Sequence, residues 1–328
     1  MSEVEDPVTT VIRLLNTNML VVKDDHSLAN ILVTNEWYKR EVFKNYDGQI
    51  TVGLRQAQDL KVELSGRVRR RVGALVVNVW STDRQDPKAE PGKVVRRKML
   101  EEVLRIVRQN RAVPNRTVYD YYGLGASSST NRAYDGGTVS EPEPYDAGWI
   151  ELSAAEYVKL WSSDDQRHMK SDTVLNEHAL MLFRFKVESR EQTVKKIVLT
   201  FEGYGTAPAG NGVTVKVWNH TISAWGNAAS GAGSSDETIT VTLTSGLSDY
   251  IDESGFVWLL AKTTNPSNGS TPAIIYCDYA SCTVTVNGIT YCDVATYRDQ
   301  DNTEVSPFVF RTEVGLKTWL FEDVGGAY

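Results

Sequence analysis

The segment Phe308-Val309-Phe310-Arg311-Thr312-Glu313-Val314-Gly315-Leu316-Lys317-Thr318-Trp319-Leu320-Phe321 decides how this chain is organised. Phe308, Phe310, Thr312, Val314 and Leu316 alternate with Arg311, Glu313 and Lys317, the period-two pattern of a half-buried strand. The segment ends before Gly325-Gly326 and follows a stretch that already reads as a complete β-rich domain. A strand pair left over after a closed sandwich has little to bury itself against. The segment is therefore expected to return to the sheet of the first domain, which makes the β-rich stretch an insertion.

Toward the N-terminus, Asp6 can cap a helix that Pro7 opens, and Val8, Val11, Ile12 and Leu15 form its apolar stripe up to Asn16-Thr17-Asn18. Three strand-like runs follow, 49–56, 59–65 and 67–81; in the last, Val68, Val72, Val76 and Trp80 share one face. A polar turn at 83–91 leads into a helix over 92–110, with Val95, Met99, Val103, Ile106 and Val107 on one side. So small an α-β-β-β-α unit leaves a sheet edge free, read here as a route to assembly.

Residues 123–144 contain Gly136-Gly137 and Glu141-Pro142-Glu143-Pro144 and read as a linker. Ser153-Ala154-Ala155-Glu156 is a capping box for a short helix. Eight short strands follow at 180–187, 194–202, 213–219, 237–244, 256–262, 274–279, 282–286 and 289–293, the pattern of an antiparallel sandwich. Asn287-Gly288 is read as the hairpin turn joining the last two. The expected fold class is α+β: a small α-β-β-β-α-β domain from 1–122 and 295–328, a linker at 123–144, and an inserted, jelly-roll-like antiparallel β-sandwich at 145–294.

The net charge of −7 is unevenly placed: 21 Lys and Arg against 16 Asp and Glu in residues 1–125, then 14 against 26. This suggests two surfaces with different partners. The first part is only mildly basic and has no DNA-reading motif, so sequence-specific nucleic-acid binding is not expected. No apolar run approaches the roughly 20 residues that span a bilayer, and the acidic start lacks the apolar core of a secretory signal. The reading is a protein made in a cytoplasm, with no membrane partner.

Chemistry-bearing patterns are sparse. Three cysteines cannot build a disulfide framework, and they are read as packing thiols, with Cys277 and Cys282 on opposite faces and Cys292 across a hairpin. His26, His168, His178 and His220 lack zinc spacing, and no Gly-x-Ser-x-Gly elbow occurs. The glycines from Gly203 to Gly212 lack the Lys-Ser/Thr of a phosphate loop. No enzyme activity, cofactor or metal is expected. Two groups remain as candidate contacts. Trp218, Trp225 and Tyr204 lie near sandwich loops and could stack on sugar rings, the competing reading being core packing for Trp218 and a sheet-end cap for Trp225. Arg67, Arg69 and Arg71 emerge on one strand face, and Arg96 and Arg97 on a helix. In an assembled ring, most of these arginines are expected to meet acidic groups on neighbouring subunits or adjoining rings.

Asp6-Pro7-Val8 opening a helix, the strand runs to Trp80, the helix Gly92-Lys93-Val94-Val95-Arg96-Arg97-Lys98-Met99, and the closing Phe310-Arg311 through Trp319 together resemble tail-terminator and neck proteins of long-tailed viruses, the archaeal versions in particular. The resemblance covers 1–122 and 295–328 as a pattern of elements, and the insert departs from it, being similar to carbohydrate-binding-like sandwiches that decorate virions. It implies a structural virion protein made in the host cytoplasm. Such a protein forms a homo-oligomeric ring, usually a hexamer, that caps the tail tube protein and joins it to a neck or connector protein, with DNA crossing the lumen unread. A head–neck connector is the alternative within this class, and a glycan-binding accessory protein the alternative outside it.

Overall fold

A computed structural model describes residues 3–62, 68–83, 90–302 and 304–323. The protein is an α+β chain dominated by sheet, in two compact units; the first joins Glu3–Thr117 to the segment from Asn287 onward, and the second is Val118–Val286.

The first unit holds helices α1 (Pro7–Asn18) and α2 (Gly92–Gln109) and strands β1 (Ile31–Thr34), β2 (Gly48–Lys61), β3 (Val68–Thr82), β15 (Tyr291–Asp299) and β16 (Val309–Asp323). The sheet order is β1-β2-β3-β16-β15, antiparallel except for the β1–β2 pair. α1 begins where expected: the Asp6 carboxylate accepts the Thr9 N–H at 3.0 Å, which satisfies one of the free donors of the first turn. Val11, Leu14 and Leu15 of α1 and Met99, Val103, Ile106 and Val107 of α2 bury against Ile50, Leu75, Val77, Val79, Val314 and Leu316 of the sheet. Arg13 and Glu5 form a buried ion pair beside α1, with Thr10 donating a further hydrogen bond to Glu5.

The closing segment, as its alternation predicts, lies between β3 and β15 in this sheet. Several details differ from the sequence reading. The runs at 49–56 and 59–65 are one strand, β2, as far as Lys61; a register shift between Leu54 and Gln56 breaks its alternation, and residues 63–65 lie outside the described residues. The four-residue β1 is too short to announce itself. Asn287-Gly288 is not a hairpin turn. Ile289 and Cys292 belong to the core of the first unit, so the chain leaves the sandwich after Val286, and Cys292 sits opposite Thr318 of β16. Burial of two apolar side chains outweighs a local turn preference.

The second unit comprises β4 (Arg116–Tyr119), β5 (Arg132–Thr138), β6 (Ile150–Glu151), α3 (Ala154–Tyr157), β7 (His168–Asp172), β8 (His178–Lys186), β9 (Val194–Thr206), β10 (Val213–Asn219), β11 (Ala224–Gly231), β12 (Glu237–Leu243), β13 (Phe256–Thr263) and β14 (Ala273–Val286). One sheet runs β11-β10-β13-β8-β5-β6 and the other β12-β9-β14-β4, with β7 also on β14. Phe183, Phe185, Val215 and Leu259 from the first interleave with Leu199, Phe201, Ile275 and Val284 from the second in one core. The Ser153–Glu156 capping box forms.

The reading of 123–144 as a linker is corrected. It contains β5, paired along its length with β8, and the sandwich therefore begins near Val118. Gly136 and Gly137 serve close packing here: a Cβ at Gly136 would meet the Trp149 ring, and one at Gly137 the Asp172 carboxylate. Cys277 and Cys282 are also corrected. A register shift between Cys277 and Tyr279 turns the strand, so both thiols point into the same core. Gly203 sits opposite Cys277 at this irregularity, where a Cβ would fall against the Tyr276 carbonyl oxygen. Gly203→Ala should therefore cost about 2 kcal/mol or more in urea unfolding, whereas Gly226→Ala, where a Cβ meets open space, should cost far less.

Candidate functional site

In the first unit, the sheet continues past its core. β2 is buried from Gly48 to Val52 and exposed from Leu54 to Lys61, and β3 is more exposed toward Val68 than from Gly73 onward. β1 pairs only with 48–51, so from Val52 to Lys61 the outer edge of β2 has no strand beside it among the described residues. The result is a three-stranded ribbon of β2, β3 and β16, carrying exposed Leu54 and Leu60 between charges.

The candidate arginines fall into two sets. Arg69 and Arg71 lie on this ribbon, and Arg67 lies outside the described residues. Arg71 donates to Asp59 at 2.8 Å and approaches Glu322 at 3.5 Å, which raises its own pKa and lowers that of Asp59. Arg69 is exposed, opposite Lys61 and Glu322 in register. Beside them Arg70 stacks its guanidinium 4.0 Å over Trp319, which itself stacks on Tyr291 at 4.3 Å. On α2, Arg97 is exposed and pairs with Glu101 one turn on. Arg96 is buried and held by Asp299 at 2.9 Å and by Asp301. Arg96 and Arg71 thus already have acidic partners within the same chain. The sequence could not disclose this, because the partners of Arg96 are some 200 residues away.

The aromatic candidates do not form one surface. Trp218 and Trp225 meet edge to face at 5.1 Å on the outer face of the β10–β13–β8 sheet. Tyr204 stacks on Tyr276 at 4.5 Å on the other sheet. Trp218 is only 4% exposed, because residues 139–149 cross the outer face as a strap. Trp225 donates its indole N–H to the Pro142 carbonyl at 2.9 Å, and Trp258 reaches the Tyr145 hydroxyl, which in turn donates to Asp252. Trp149 donates to the Glu143 carbonyl at 2.9 Å. The Glu141 carboxylate takes Lys216 at 2.7 Å and Lys262 at 2.6 Å. The Glu-Pro-Glu-Pro composition that suggested a linker thus supplies an extended, charged strap, and alternation of lysines with tryptophans on β10 and β13 is the signal that could have placed it.

Among the described residues, two side-chain groups bring three ligand atoms close enough to hold a cation. His168, buried, has Nε2 at 3.0 and 3.1 Å from the Asp135 oxygens, and its Nδ1 is 4.0 Å from Glu156; this ties β7 to β5 and α3. Asp165, Asp236 and the buried Asp278 form the other group, where Arg167 already binds Asp165 and Asp236. Burial pushes the Cys292 thiol up to about 12 and the Cys277 and Cys282 thiols up as well, so none is a thiolate at neutral pH.

A protein family described as "Uncharacterized protein, C-terminal domain" matches residues 128–286, all within the second unit. No curated protein matches the chain. Among solved structures, a chain titled "xylan-binding module CBM15" is similar over 52% of this chain and 97% of that chain, at 13% identity and a TM-score of 0.25.

The strap makes a pH-dependent prediction. Burial alone would raise the Glu141 carboxyl, but the Lys216 and Lys262 ammoniums outweigh it and hold the group below the ordinary glutamate value. A depressed folded-state pKa stabilises above the unfolded value and loses that contribution as pH falls through the folded one. Glu141→Gln should then cost about 1 kcal/mol at neutral pH, and the difference should vanish at pH values well below the glutamate range. Paired urea titrations followed by tryptophan emission measure this; an equal gap at acid pH would contradict the strap's electrostatic anchoring.

Proposed function

We propose that this chain is a structural subunit of a tailed virus particle, a tail terminator that forms a homo-oligomeric ring through its first unit. In this reading the ring, a hexamer, caps the tail tube protein and meets the neck, and DNA crosses its lumen without being read. The single observation that carries the reading is the ribbon, a sheet that outruns its own core and leaves ten residues of β2 edge without a strand beside them among the described residues. Such an edge is a pairing template, and a soluble protein covers it or uses it. The second unit, with two sheets sharing one core and an outer face under its own strap, acts as a jelly-roll-like decoration that the ring contact does not need. A head–neck connector would use the same surface with a different ring number. Sugar stacking is disfavoured on Trp218 by its burial and on Trp225 by the strap, whose Pro142 carbonyl already takes the indole N–H.

Native mass spectrometry and negative-stain images of the full chain test this. Rings are expected, and Arg69→Glu combined with Leu60→Lys should weaken assembly by at least about tenfold in concentration, about 1.4 kcal/mol, with circular dichroism unchanged. A folded monomer at high concentration, or rings indifferent to the ribbon variant, would overturn the assignment of the contact.

A further inference from the structure

On the first unit, a cleft of about 400 Å³ lies between residues 38–40 and residues 300–302 and 305–309, with Trp80 and Arg311 in its lining. That volume falls in the range of small-molecule sites. Its apolar wall is Tyr38, Trp80, Val305, Pro307 and Val309, and the charged side chains lining it are Arg40 and Arg311, with no acidic one among them. Gln300 and Asn302 add amides.

Both guanidiniums are placed and incompletely used. Arg311 packs 4.9 Å from the Trp80 ring and 5.3 Å from Trp37, which orients its plane. Its Nε and Nη2 donate to Asn78 Oδ1, and Nη2 also donates to Glu313, while Nη1 has no hydrogen-bond partner among the described residues. Glu313 neutralises Arg311 only in part, because it also faces Arg298 at 3.3 Å and Arg55 at 3.5 Å. Arg40 spends one nitrogen on the Ser306 carbonyl at 2.9 Å and keeps the rest of its fork free among the described residues. Tyr38 is fixed against Trp80 at 4.9 Å and Phe43 at 5.6 Å, so the aromatic wall is rigid. Two cations facing one cavity match a dianion better than a carboxylate, and forked donors suit phosphate oxygens.

We propose that this cleft binds a phosphate monoester on a planar body, of nucleoside monophosphate size, with the phosphate between Arg40 and Arg311 and the body against the Tyr38 wall. The amides of Gln300 and Asn302 then meet heteroatoms of the ring. This site is independent of the ring-assembly reading.

Isothermal titration of the full chain with AMP, adenosine and inorganic phosphate tests it. AMP should bind saturably and at least about tenfold more tightly than either fragment, since charge and body both contribute. Arg40→Ala, a change at an exposed side chain, should weaken AMP by about tenfold, the scale of one charge-assisted contact. Arg311→Lys keeps the charge but removes the fork, and should also weaken AMP; because it loses the Asn78 and tryptophan contacts as well, it should lower the unfolding midpoint, so binding is compared at a temperature where both proteins are fully folded. No saturable AMP binding, AMP binding unchanged in both variants, or phosphate alone binding as tightly as AMP would overturn the proposal.

Discussion

The pairing of β16 with β3 holds the first unit together. It runs without a register shift from Val309 opposite Thr82 to Asp323 opposite Val68, and it joins two parts of the chain separated by the whole second unit. Val314 and Leu316 complete the core floor beneath α2, and among the described residues β15 joins the sheet only through β16. Without this strand, Val77 and Val79 would lose a neighbour and the central strand β3 would become an edge. Closing so long a loop costs entropy that grows only slowly with its length, and an inserted unit with its own core lowers that cost further. The ribbon depends on the same pairing, since β16 backs β3 along the exposed stretch.

Charge is handled differently in the two units. In the first, buried or half-buried arginines find fixed acids in the same chain, as Arg96 does with Asp299, and aromatic rings, as Arg70 does with Trp319. Such contacts cost less to keep than to break, because removing one partner leaves a buried charge. In the second, lysines on an outer sheet face are neutralised by Glu141 from the strap, which lets Trp218 and Trp258 stay dry on a face that would otherwise meet solvent. The sandwich thus carries two apolar layers, its shared core and the smaller cluster beneath the strap.

The legible part of the fold followed short-range signals. The α1 cap at Asp6, the apolar face of α2, the alternation of 308–321 and the capping box at Ser153 all act within a few residues, and each reappears in the structure. What was missed depended on distant partners. β5 was hidden because its glycines answer to Trp149 and Asp172, and the strap because its prolines and glutamates answer to lysines on β10 and β13. Asn287-Gly288 misled because the core of the first unit claimed Ile289 and Cys292. Of the candidate contacts, exposure at Arg69 and Arg97 could be anticipated from period alone. The burial of Arg96 and Trp218 could not, nor could the meeting of Tyr38 and Arg40 with Arg311, which come from two distant parts of the chain.

Hydrogen exchange read by mass spectrometry at the two strands tests the central claim most directly. If 309–323 completes the sheet of the first unit, peptides covering 72–80 and 312–320 should be protected to a similar degree and lose protection together as denaturant is raised. Rapid exchange of 312–320 while 72–80 stays protected would show that the closing strand is an appendage, and the account of a unit built from two distant pieces would fail.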